Sequence, residues 1–124
     1  MTLLLLQVSA EKSNLDDPVL FCDGCFAMVS EIEKSLSVRS GQTLKARIES
    51  SLGSVCTTDK LRSYKFSPPT QVKTCTAILE RWRPFLTSTL REQYRGGRQP
   101  SLDLLTDLIC TEVGKVWEKI KNSN

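Results

Sequence analysis

The residues best suited to chemistry in this chain are its sulfurs. Cys22-Asp23-Gly24-Cys25 has the spacing of thiol-disulfide oxidoreductases, in which a helix N-terminus stabilises the thiolate that attacks a substrate disulfide. Read that way the motif belongs to an enzyme. The βαβ surroundings of a thioredoxin motif are absent from the sequence pattern, however, and a structural bridge is a competing use for Cys25. Cys56, Cys75 and Cys110 are too scattered to complete a zinc site, which needs four ligands in compact pairs. The 124 residues include no histidine, so the usual general base, zinc ligand and pH switch are missing together. Ordinary serine or cysteine triads are excluded, and no metal or other cofactor is expected.

Two further groups of side chains suit binding rather than catalysis. Arg81, Arg83, Arg91, Arg95 and Arg98 fall among apolar residues of one expected helix, and a basic helix can meet anionic lipid. Glu80 and Glu92 interrupt that patch, and a solvated face is the plainer reading. The segment Leu61-Arg62-Ser63-Tyr64-Lys65-Phe66 offers Arg62, Tyr64, Lys65 and Phe66 as a mixed aromatic and basic surface suited to gripping a protein, unless it folds back over the helices. The net charge of +3, from 17 basic and 14 acidic residues, is far from that of a dedicated nucleic-acid binder.

The elements that position these residues are helical. Asp17-Pro18 is a good helix opening, and Phe21, Cys25, Met28, Val29, Ile32 and Leu36 then recur at steps of three and four, predicting a helix over 18–38. Leu44, Ile48, Leu52 and Val55 predict a second over 43–57. Pro68-Pro69 favours extended structure, so 57–70 is read as a loop. Val72, Cys75, Ile78, Leu79, Trp82, Phe85, Leu86 and Leu90 mark a third helix over 70–94, kinked at Pro84 and ended by Gly96-Gly97. Ser101 caps a last helix carrying Leu102, Leu105, Leu108, Ile109, Val113, Val116, Trp117 and Ile120. No strand-period segment competes. No later stretch approaches the roughly 20 apolar residues of a membrane span, so no transmembrane segment is expected.

Five cysteines in a domain with 6% aromatics point to covalent staples supplementing a limited core, and so to an oxidising compartment. Leu3-Leu4-Leu5-Leu6 followed by Val8-Ser9-Ala10 reads as a partial signal peptide over 1–10, leaving one domain over 11–124. Cys56 and Cys75 flank one loop, so antiparallel packing of the second and third helices would bring them together. Closing that loop would contribute about 3 kcal/mol through the unfolded chain. A Cys25–Cys110 bond would then clamp the first helix to the last.

This placement of cysteines on helices resembles the saposin-like framework. Phe21-Cys22-Asp23-Gly24-Cys25-Phe26-Ala27-Met28-Val29, the Leu52–Cys56 helix end, Lys73-Thr74-Cys75, Arg95-Gly96-Gly97 and Leu108-Ile109-Cys110 resemble, more closely, the canopy family of endoplasmic-reticulum proteins, over roughly Leu20 to Thr111. The resemblance implies an all-α, saposin-like, four- to five-helix bundle stapled by disulfides. It also implies a luminal folding accessory factor that binds protein clients or chaperones and assists their folding or disulfide maturation. Such proteins carry a sixth cysteine shortly after the fifth, whereas here Thr111 to Trp117 contains none, which leaves Cys22 as the expected orphan. An orphan thiol suits mixed disulfides with clients or a Cys22-linked homodimer, against the plainer reading of an inert buried group. The family's usual C-terminal retrieval signal is also absent from Lys121-Asn122-Ser123-Asn124, so both the reticulum lumen and secretion are expected destinations. A secreted saposin-like lipid binder using Arg81, Arg83, Arg91 and Arg95 is the first alternative, and a thiol oxidoreductase the second.

Overall fold

The computed structural model describes residues 17–38 and 40–122, and among them all regular structure is helical. Asp17 accepts hydrogen bonds from the amides of Val19 and Leu20 at 3.0 and 3.3 Å, and starts α1 (Pro18–Ser37). The far end of α1 is closed from outside: the Arg47 guanidinium donates to the carbonyls of Leu36 and Val38 at 2.6 and 3.1 Å. That arginine belongs to α2 (Leu44–Ser54), whose own N-cap is Thr43. α3 (Pro68–Tyr94) is the longest element. A 3-10 turn, Arg95–Gly97, follows, with both glycines at positive φ, a conformation open to glycine at little cost. The last helical run is capped by Ser101 and comprises α4 (Leu102–Thr106), a π-helical turn (Asp107–Thr111) and α5 (Glu112–Asn122).

α1 packs against α2, α3 and α4, and α2 packs against α3, so the chain forms a helical bundle with α1 at its centre. The apolar stripe of α1 is wholly buried, together with Ile48, Leu52, Ile78, Leu86, Leu90, Leu105 and Ile109. Phe21 meets Trp82 edge to face at 6.1 Å between ring centroids. The signal-peptide reading of 1–10 lies outside the described residues.

Three expectations need correction, and one left open is decided. Pro68 and Pro69 do not lie in a loop; they occupy the first turn of α3, where a missing amide proton costs nothing because first-turn amides have no intrahelical acceptor. α2 ends at Ser54 rather than 57, leaving Cys56 two residues beyond the helix. Of the two readings of the 57–67 segment, folding back over the helices is the one seen at Leu61, which is fully buried and anchors it. Val116 is 41% exposed instead of core. The π turn explains this last case. Leu105, Ile109, Val113 and Trp117 are buried at strict steps of four; in a regular helix of 3.6 residues per turn such a row would drift around the axis, and one widened turn takes up the drift. Val116 is thereby rotated outward.

The kink in α3 falls two residues before Pro84, at Trp82, whose φ and ψ are −123° and 21°. Proline at 84 lacks the amide that would bond the carbonyl four residues earlier, and its ring crowds that same carbonyl. Trp82 stays buried across the bend.

Candidate functional site

Each residue of the Cys22-Asp23-Gly24-Cys25 motif has a definable task. Cys25 is fully buried and bonded to Cys110 in the π turn, with 5.9 Å between Cα atoms. Gly24 is buried where α1 and α3 approach so closely that a Cβ there would collide with the Thr74 side chain. The Asp23 carboxylate accepts a hydrogen bond from Gln71 Nε2 at 3.1 Å, and Gln71 itself is fully buried in α3. Three of the four residues thus lock α1 to its neighbours. Cys22 is left over: its thiol is free and exposed. The reading of Cys22 as an inert buried thiol is therefore corrected: three residues turn the helix by about 300°, so Cys22 lies about 60° round the axis from the buried Cys25, at the exposed edge of the core stripe.

The surroundings of Cys22 are mainly apolar, with Glu112, Lys115, Glu118 and Lys119 also lining one side. On one side it borders a groove of about 560 Å³ lined also by Phe21, Cys110, Val116 and Trp117. On the other it borders a shallower hollow with Val19, Asp23 and Phe26. Val19, Cys22 and Phe26 are spaced three and four apart and form a second apolar stripe on α1, outside the core; Val19 is 53% and Phe26 39% exposed. Sequence reading passed over Val19 and Phe26 because periodicity alone gives the more populated stripe of α1 to the core. Val116 was missed because the π turn is invisible in the residue pattern.

The expected protein-binding loop contributes to this rim differently than anticipated. Tyr64 is half-buried: its hydroxyl donates to Glu31 Oε2 at 2.6 Å, and its ring stands edge to face against Phe26 at 6.4 Å. The same carboxylate oxygen accepts from Lys34 Nζ at 3.0 Å. Burial, then the hydrogen bond to Glu31, pushes the Tyr64 phenol above its usual range, while Lys34 is raised chiefly by its bond to Glu31. Tyr64 is thus folded back on α1 and extends the Phe26 surface. Arg62 is paired with Asp59 at 2.9 Å, and Lys65 lies 5.8 Å above the Phe66 ring, so the four loop residues form no single grip.

Cys56 and Cys75 are bonded, with 5.5 Å between Cα atoms, and join the end of α2 to the start of α3. The arginines divide into two places. Arg81 sits over Trp117 at 4.8 Å and Trp82 at 5.9 Å, a cation held on the faces of two core rings. Arg83, Arg91 and Arg95 line a separate groove of about 780 Å³ with Lys45. The grouping of all four as one basic face is corrected: Arg83, Arg91 and Arg95 share this groove, while Arg81 lies on the near side of the kink, over the two rings.

Among the described residues no group of three or more metal-ligating side chains comes together, and no helix is long and apolar enough to cross a membrane. The fold and the Cys22 rim define a class: a disulfide-stapled all-α bundle that displays one free thiol on an apolar surface. No known protein family, curated protein or solved structure matches the chain.

Proposed function

We propose that this protein is a secretory-pathway accessory factor that binds partly folded client proteins at the Cys22 rim and holds them, in part covalently, while their folding or disulfide pairing proceeds. The observation that carries the reading is the juxtaposition of the exposed Cys22 thiol with exposed Val19, Phe26 and Val116. Unfolded secretory chains present apolar side chains and cysteines together, and this rim offers a partner for each. A thiolate at Cys22 attacks a client disulfide, a Cys22–client bond forms, and the displaced client sulfur leaves as a thiolate that takes up a proton.

Two intramolecular disulfides suit an oxidising compartment, and the reticulum lumen or the secreted space is where such clients occur. The resemblance of the cysteine-bearing segments to the canopy family supports the same reading. Binding, rather than turnover, is favoured because Cys25, the natural resolving partner at this spacing, is committed to Cys110.

The test is thiol-trapping immunoprecipitation from secretory cells. Wild type is expected to carry mixed disulfides with secretory clients. Cys22→Ser should abolish these adducts and retain weak non-covalent capture; Phe26→Asp should diminish both. Adducts that persist in Cys22→Ser, or a Cys22-linked homodimer as the sole covalent species, would sink the proposal.

A further inference from the structure

The groove between the first turn of α2 and the part of α3 beyond its kink has no task in client binding. Its lining brings Lys45 from α2 together with Arg83 and Arg91 from α3 and Arg95 from the 3-10 turn that follows, beside the hydroxyls of Thr87 and Ser88. Glu92 is its one carboxylate, engaged by Arg95 at 3.2 Å. Lys45, Arg83 and Arg91 make no ion pair or side-chain hydrogen bond among the described residues.

The fold accounts for only part of this charge. Lys45 lies in the first turn of α2, where a cation opposes the helix dipole, and Arg83 lies in mid-helix, away from either end of α3. Arg91 in the last turn of α3 and Arg95 at its C-cap do favour the negative end of that helix's dipole. Arg98 shows what a structural arginine does at the same helix end: its guanidinium donates to the carbonyls of Glu92 and Arg95 at 2.8 and 3.0 Å and closes the helix. No such bond engages Arg83 or Arg91. The groove's four cations and one carboxylate carry a net charge of +3, equal to that of the whole chain.

We propose that this groove binds an anion carrying at least two phosphate groups, either a free phosphate ester or the headgroup of a lipid. One phosphate brings about −1.5 to −2 charges at neutral pH, too few to offset three net positive charges, and two phosphates match them. Guanidinium forks suit phosphate oxygens, and the Thr87 and Ser88 hydroxyls supply further donors. The site goes beyond the client-binding reading and does not depend on it.

Calorimetric titration of the whole chain with pyrophosphate at low salt is expected to show saturable one-to-one binding that weakens as salt is added. Arg83→Gln with Arg91→Gln should weaken it at least tenfold, and Lys45→Gln, on a different helix, in the same direction. Arg62→Gln, remote from the groove, should leave it unchanged. Co-sedimentation with phosphatidylcholine vesicles containing phosphatidylinositol bisphosphate, lost in the double variant, assigns a lipid source. Pyrophosphate binding without co-sedimentation assigns a soluble one, and either result upholds the site. Absence of saturable binding to both probes, or an equal loss in Arg62→Gln, overturns it.

Discussion

Gly24 sits where the backbone of α1 meets the Thr74 side chain, and the collision a methyl group would cause there is with Thr74 Cγ2 and Cβ. Gly24→Ala is therefore expected to destabilise the fold by about 1–3 kcal/mol through overpacking, despite alanine's better helix propensity. Adding Thr74→Ser removes Cγ2 while keeping a hydroxyl that can donate to the Thr70 carbonyl; part of the loss should return. Denaturant melts of both single variants and the double measure this coupling. A Gly24→Ala variant as stable as wild type would show that the helices separate at no cost. Tyr94 offers the opposite case. Its hydroxyl is buried without a partner, and burial, with Glu33 nearby, pushes the phenol up to about 12. Tyr94→Phe should be neutral or stabilising at pH 7, because an unsatisfied polar atom disappears. The raised folded value also sets a pH dependence. Below the unfolded phenol's pKa near 10 the protonated form's contribution is complete; as pH rises from about 10 to 12, the unfolded chain ionises first and stability falls. Tyr64 shifts in the same direction. Alkaline melts should therefore decline over that window, less steeply in Tyr94→Phe.

At the scale of the element, caps and prolines decide where helices begin. Asp17 holds two otherwise unpaired amides of α1, so Asp17→Ala should cost about 1 kcal/mol. Ser67, at the corresponding place before α3, makes no such bond to a backbone amide; Ser67→Ala should cost clearly less. Thermal melts that rank the two in the reverse order would contradict the capping argument. The two prolines after Ser67 did not interrupt α3 because both fall in its first turn. Whether a proline pair starts a helix or precludes one depends on what the next turns pack against, and Gln71, Thr74 and Cys75 are all buried against the rest of the bundle. The π turn likewise answers to packing: four side chains at steps of four could stay in the core only if one turn widened.

Over the whole molecule, the staples differ in reach. Cys25 and Cys110 are 85 residues apart in sequence and Cys56 and Cys75 are 19 apart. The restriction placed on the unfolded chain grows with loop length, to about 4.5 kcal/mol for the longer loop against about 3 for the shorter. Paired alanine replacement of Cys25 and Cys110 should consequently lower the denaturation midpoint further than replacement of Cys56 and Cys75. Equal losses would mean that local packing, not the length of the closed loop, sets the effect. The same long bridge shapes the candidate site, because it holds the π turn beside α1 and so forms the groove that Cys22 borders.

The residue pattern alone was sufficient for the all-α architecture, four of its buried stripes nearly entire, the kink near Pro84 and the glycine stop after α3, since these follow from local periodicity and backbone chemistry. Setting Cys22 apart from the other cysteines came from the resemblance to the canopy family, which carries a sixth cysteine that this chain lacks, and not from the pattern itself. Tertiary structure decided the rest. It turned Val116 outward through the π turn, drew Leu61 and Tyr64 down onto the bundle, parted Arg81 from the other arginines, and brought Lys45 to them across a helix interface. Each of these depends on which surface a side chain meets after helices distant in sequence have packed, and helical periodicity specifies a face without specifying its partner.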